Sequence, residues 1–119
     1  MNERRSGARR GRRQTRSITL ISWRDIPAQL TARDGSEQHK VLLHARFQHA
    51  IDRAAAVAGL TSTDDYVQEW TSTPQPIDSG DLPAQLDRLA ASIEADHPRD
   101  RLEALVATGG LNPPRTSLP

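Results

Sequence analysis

Residues 18–35 read ITLISWRDIPAQLTARDG, and this stretch decides the fold class. Ile18 to Trp23 is apolar and rich in β-branched residues, which is typical of a strand. Ala28 to Arg33 alternates apolar and polar residues, which predicts a half-buried second strand with Leu30 facing inward. The pair Asp34-Gly35 follows this second strand and favours a hairpin turn, because glycine accepts a positive φ.

A third short strand is predicted at Lys40 to Leu43. The three strands follow one another too closely for parallel crossovers, so they must form an antiparallel meander. Such a sheet has a face to bury, and helices must cover it. We therefore predict an α+β fold in which a three-stranded antiparallel meander is covered by three to four helices.

The first helices follow the third strand directly. Between Ala45 and Ala58 apolar residues recur at spacings of three and four, and Gly59 stands where a left-handed residue commonly ends a helix. Residues 61–65, TSTDD, contain two overlapping capping boxes. They predict a short helix that continues to about Trp70, on which Tyr66 and Trp70 would share a face.

The remainder of the folded part is predicted as a loop and two helices. Residues 73–80 contain two prolines and are predicted to be a loop. Asp81 is the predicted N-cap of a helix to about Ala95, which the pair His97-Pro98 would end. The apolar residues of this helix and the last one are Leu82, Leu86, Leu89, Ala90, Ile93, Leu102, Leu105 and Val106.

Charge divides the chain unevenly. Residues 1–16 carry seven arginines and one glutamate, a net charge of +6, whereas the other 103 residues carry 9 basic and 14 acidic groups, a net charge of −5. We predict a disordered arginine-rich arm at 1–16, an α+β domain at 17–107 and a flexible proline-containing tail at 108–119.

Cysteine is absent, which excludes disulfides and thiolate sites, and no apolar run is long enough to cross a membrane.

The arm has three interpretations, which its composition leaves open. It could bind nucleic acid by neutralising phosphates, it could reflect a compositional bias toward arginine, or it could result from a start codon placed too far upstream. The apolar stretch that follows it is too short for an export signal, which favours the cytoplasm. The arginines of the nucleic-acid hypothesis are Arg4, Arg5, Arg9, Arg10, Arg12, Arg13 and Arg16.

The sequence predicts neither a metal site nor a reaction. His39, His44 and His49 are spaced by five residues, which on a helix points successive side chains ~140° apart, and His97 is isolated. No phosphate-binding glycine loop or nucleophile motif occurs. We therefore expect a protein without catalytic residues, metal or cofactor.

The corner Trp23-Arg24-Asp25 is the remaining unusual feature. One interpretation makes Trp23 a core anchor and the next two residues a solvated turn. The other makes the corner a recognition surface, because Trp and Arg are common hot-spot residues in interfaces. If the corner is structural, the binding surface is expected around Tyr66 and Trp70.

Two segments resemble the small bacterial virulence factor domain family: ITLISWRDIPAQLTARDG at 18–35 and KVLLHARFQHAIDRAAAVAGLTSTDDYVQEW at 40–70. The resemblance is close over 18–70, loose over the helix from Asp81 to Ala95, and absent from the arm. His44 departs from it, since a small capping residue would be usual before such a helix. The resemblance implies an accessory role beside one-carbon or corrinoid methyltransferase proteins, and it carries over no catalytic residue.

These observations favour a non-enzymatic, cytoplasmic accessory protein whose partner is another protein. The partner-binding residues would be Trp23, Arg24, Asp25, Tyr66 and Trp70. The alternative is a nucleic-acid-associated protein that acts through its arm.

Overall fold

The computed structural model describes residues 16–112, which form an α+β domain. In chain order the elements are β1 (Arg16–Trp23), β2 (Ile26–Asp34), β3 (Glu37–Leu42), α1 (Ala45–Ala58), α2 (Thr63–Gln68), β4 (Trp70–Gln75), α3 (Leu82–Asp96) and α4 (Arg99–Ala107). The strands form one antiparallel sheet in the order β3-β2-β1-β4. The α+β class and the three-stranded meander are confirmed, with a fourth strand added.

The fourth strand corrects two predictions. Trp70–Gln75 pairs with β1, with Trp70 opposite Trp23 and Gln75 opposite Ile18, so Trp70 ends no helix and the predicted loop begins later than expected. Pro74 is tolerated because β4 is an edge strand, whose outer edge needs no ladder hydrogen bonds. The strand was missed because its residues are mostly exposed and polar, without an apolar alternation.

The helix boundaries follow the capping residues. Helix α1 ends at Gly59, whose φ is +75°, and the Asp81 carboxylate accepts a hydrogen bond from the Ala84 N–H at 2.9 Å at the start of α3. Ser62 caps α2 through the Asp65 N–H at 3.2 Å. His44 caps α1 although its residue type is unusual there, since its Nδ1 accepts the Arg46 N–H at 3.1 Å.

The core lies between one face of the sheet and the helices. Helices α1 and α3 pack on β2, and α4 packs on α1. Leu30 is fully buried, as predicted, whereas Leu89 of the predicted apolar stripe is only partly buried. The largest fully buried side chains are Trp23, Phe47, Ile18, Ile26, Leu30, Ile51, Leu82, Leu86 and Leu105.

Candidate functional site

The two residues Arg24 and Asp25 form the turn between β1 and β2, and the residues beside them enter the interior. Arg24 has a φ of +50°, a left-handed conformation that is uncommon for a residue other than glycine. Trp23 is completely buried, and its indole N–H donates to the Tyr66 carbonyl at 2.8 Å. Trp23 therefore acts as a core anchor that ties β1 to α2.

An aromatic cluster surrounds that anchor. The Trp23 and Tyr66 rings are stacked with centroids 5.6 Å apart, and the Tyr66 and Trp70 rings meet edge to face at 6.0 Å. Tyr66 and Trp70 are partly buried. They meet because the chain turns from α2 into β4 at Glu69, and not because they share a helix face as predicted.

Arg24 links three segments of the chain. Its Nε donates to a Glu69 carboxylate oxygen at 2.9 Å, its Nη1 donates to the Gly109 carbonyl at 3.1 Å, and its guanidinium lies over the Trp23 ring at 5.5 Å. The Arg24 side chain is only 19% exposed, so these contacts leave little of it for a partner. We call Trp23, Arg24, Tyr66, Glu69 and Trp70 the corner cluster.

Asp25 holds the segment that follows α4. Its N–H donates to the Gly110 carbonyl at 2.7 Å, and its carboxylate accepts the Asn112 N–H at 2.7 Å. Residues 108–112, which the sequence assigned to a flexible tail, thus lie against this turn, with Gly109 and Gly110 buried. Sequence reasoning missed Glu69 and both glycines, although an adjacent glycine pair is a signal of close backbone approach.

The structure brings all five predicted partner-binding residues to this one end of the sheet, but they differ in accessibility. Trp23 is buried, Arg24 is largely enclosed, Tyr66 and Trp70 are partly buried, and Asp25 is exposed. Val67, which was not among the predicted residues, lies beside Tyr66 in α2 and is 55% exposed. A groove of about 320 Å³ adjoins Tyr66 between α1 and the start of α2. We call Tyr66, Val67 and Trp70 the α2–β4 surface.

The sequence pattern of the virulence factor family matches residues 21–106, well over half of the chain. The chain belongs to the virulence factor family. No curated protein and no solved structure matches the chain significantly. The matched span of the virulence factor domain contains the whole corner cluster, but it ends before Gly109 and Gly110.

Arg16, the first residue that the structure describes, changes the interpretation of the arm. Arg16 belongs to β1, and its guanidinium donates to the carbonyls of Asp78 at 3.1 Å and Gly80 at 2.7 Å. Arg16 therefore contacts the loop before α3. The other arginines of the nucleic-acid hypothesis lie outside the described residues: Arg4, Arg5, Arg9, Arg10, Arg12 and Arg13.

The four histidines of the virulence factor domain lie on or beside three elements. His39 is in β3, His44 caps α1, His49 is within α1, and His97 follows α3. Within residues 16–112, no group of three or more His, Asp or Glu side chains is placed to hold a metal ion. None of the described helices is both long and apolar enough to cross a membrane.

Proposed function

We propose that this virulence factor domain is a cytoplasmic, non-enzymatic accessory protein that binds another protein through the α2–β4 surface. The observation that carries the proposal is the partly exposed ring pair of Tyr66 and Trp70, fixed against the buried Trp23 and bordered by the exposed Val67. Aromatic residues dominate the energetics of protein interfaces. A ring pair that is already ordered also loses little conformational entropy on binding.

In this proposal, Arg24 and Asp25 hold the α2–β4 surface in position. Their hydrogen bonds go to Glu69, Gly109, Gly110 and Asn112, all within the chain. The binding surface thus shifts from the corner itself to the residues that the corner positions. The proposal assigns no reaction to these side chains.

The test is quantitative affinity purification with the full-length chain and three variants. Val67→Asp places a charge on the α2–β4 surface and should remove the specific partner. Leu42→Asp makes the same change at another exposed apolar residue, 68% exposed on β3, and should leave the partner bound. Trp70→Ala should weaken capture as well, with circular dichroism confirming that each variant is folded.

The proposal fails if Val67→Asp captures the same proteins in the same amounts as the unmodified chain. It also fails if Leu42→Asp loses them equally, because the loss would then report a general charge effect.

The family resemblance supports a partner from a one-carbon or corrinoid methyltransferase system. Such a protein should then be enriched with the unmodified chain and depleted with Val67→Asp. If unrelated proteins are instead enriched with the unmodified chain and depleted with Val67→Asp, the accessory role is supported and this class of partner is rejected.

Nucleic-acid binding is a second candidate, favoured by the charge of the arm. Residues 1–15 hold six arginines and one glutamate, a net charge of +5. Fluorescence anisotropy with an arbitrary oligonucleotide should show weak binding that falls steeply with salt, because counterions are released. Binding that persists without residues 1–15, or that ignores salt, would remove the arm from the explanation.

A further inference from the structure

A cleft of about 350 Å³ opens between α1 and α4, away from the corner cluster. The two helices run parallel, since Arg46 contacts the His97 carbonyl before α4, Arg53 pairs with Glu103, and Ala58 lies beside Gly109. The cleft is lined by the side chains of His44, Arg46, His49, Arg53, Arg99 and Glu103 and by the buried residues Ala50 and Leu102.

The charge of this cleft is opposite in sign to the net charge of residues 17–119 as a whole. Residues 17–119 carry a net charge of −5, but the cleft brings together three guanidinium groups, two imidazoles and one carboxylate. That carboxylate, on Glu103, accepts two hydrogen bonds from Arg53 at 2.6 and 2.9 Å. Among residues 16–112, no carboxylate lies within 4.0 Å of the Arg46 or Arg99 guanidinium. Arg99 interacts with the Glu103 carboxylate only through the longer-range attraction of their charges.

Arg46 is held in place before any ligand arrives. Its Nη2 donates to the Glu94 carbonyl at 2.9 Å, its Nε reaches the His97 carbonyl at 3.4 Å, and its guanidinium lies 5.0 Å from the Phe47 ring centre. These neutral acceptors leave its positive charge uncompensated by a carboxylate. A fixed guanidinium loses little entropy when it binds an oxyanion, which strengthens recognition.

The His44 imidazole adds a hydrogen-bond donor to the same cleft. His44 Nδ1 accepts the Arg46 N–H, so the neutral ring carries its proton on Nε2 and can donate there. One carboxylate borders this end: Glu94 accepts the His44 N–H at 2.9 Å. The negative charge of Glu94 repels an anionic group placed beyond His44. We therefore expect the anionic group of the ligand nearer Arg46 and Arg99.

We propose that this cleft binds a small phosphomonoester, with its phosphate at Arg46 and Arg99 and an apolar body against Ala50 and Leu102. Guanidinium groups suit phosphate because their planar N–H donors match several oxygens at once. The cleft favours an ester over the inorganic ion, since the ester's own apolar body would leave water where it contacts Ala50 and Leu102.

The test uses NMR titration of the full-length chain with phenyl phosphate, inorganic phosphate and phenol at constant ionic strength. Phenyl phosphate should shift the amide signals of His49 and Ala50 with a Kd of about 1 mM, and inorganic phosphate should bind several-fold more weakly. Arg99→Ala should weaken phenyl phosphate about ten-fold, because a charge-assisted hydrogen bond is lost. Arg88→Ala removes the same charge from α3, outside the cleft, and should change nothing.

Three results would overturn the proposal. The first is phenyl phosphate affinity unchanged in Arg99→Ala. The second is an equal loss in Arg88→Ala, which would show that only net charge matters. The third is phenol shifting the same signals with the same affinity, because the phosphate would then contribute nothing.

Discussion

Arg24 connects three distant parts of the chain through one side chain. It reaches Glu69 between α2 and β4, Gly109 after α4 and the ring of the preceding residue, Trp23. Its sequence neighbour Asp25 is not its partner, since Asp25 bonds Gly110 and Asn112 instead. At the residue scale, the corner is thus a structural junction.

Arg24→Ala should lower the free energy of unfolding by about 2 kcal/mol, because a charge-assisted hydrogen bond and a carbonyl partner are lost together. Urea unfolding at pH 7 measures this. Arg33→Ala, an exposed arginine of β2, is the matched control and should stay within about 0.5 kcal/mol. A change in Arg24→Ala as small as the control's, together with weaker partner capture, would make Arg24 a recognition residue.

Glu103 provides a prediction about pH. The hydrogen bonds from Arg53 lower the pKa of Glu103 below its ordinary value of about 4.3. A carboxyl group whose pKa is lower in the folded state stabilises the fold above its unfolded pKa, and this contribution is lost as the pH falls through the folded pKa. Glu103→Gln should therefore be less stable than the unmodified chain at pH 7.

The stability difference between the two proteins should shrink as the pH falls below the ordinary pKa of a glutamate and through the lowered pKa of Glu103. It should also shrink in high salt, since the pair is exposed. Urea unfolding across a pH series measures it. A difference that persists unchanged in acid would show that Glu103 acts through packing.

The segment after α4, residues 108–112, packs against the buried Trp23 through its backbone at Gly110. A Cβ at Gly110 would lie 2.8 Å from Trp23 Cζ3, and the φ of Gly110 is +95°. At Gly35 the φ is +66°, but an added Cβ would meet no atom within 4 Å. A side chain at Gly35 would therefore add backbone strain alone, whereas a side chain at Gly110 would add backbone strain and a steric overlap with Trp23.

Gly35→Ala should cost about 1 kcal/mol, which is the backbone cost alone. Gly110→Ala should cost about 3 kcal/mol or more, because the enclosed Trp23 ring cannot move away. Thermal and urea unfolding of both variants test this. Equal costs would mean that the segment is not docked on Trp23 in solution.

β4 shows which kind of element sequence reasoning misses. Helices α1 and α3 were predicted to within a residue, because apolar periodicity and capping residues lie inside the helices themselves. β4 has neither signal, and it exists as a strand because β1 offers it an edge. β4 and β1 are far apart in the sequence, so the residues of β4 alone cannot indicate that this segment forms a strand.

At the scale of the whole molecule, the arm and the domain are expected to be separable. Deletion of residues 1–15 should leave Tm within about 1 °C, because apart from Met1 these residues have no large apolar side chain to bury. Arg16→Ala should lower Tm by about 5 °C, since two carbonyls lose a charged donor. A large drop on deletion, or none in Arg16→Ala, would contradict this boundary.

The sequence by itself determined the α+β class, the antiparallel meander, the two long helices and the inward side of β2. Each of these follows from interactions between residues close in the chain: alternation, helical spacing, caps and short connections. The same local evidence left the corner with two interpretations and identified none of its contacts with Glu69, Gly109 and Gly110.

Tertiary structure alone decided the fourth strand, the partners of Arg24, the docking of Gly109 and Gly110, and the basic cleft between α1 and α4. Each depends on residues distant in sequence, such as Arg24 with Glu69 or Arg46 with His97. Their energies arise only when packing brings the groups within hydrogen-bond distance. No local pattern in the chain encodes such a distance, because it is set by the packing of the whole core.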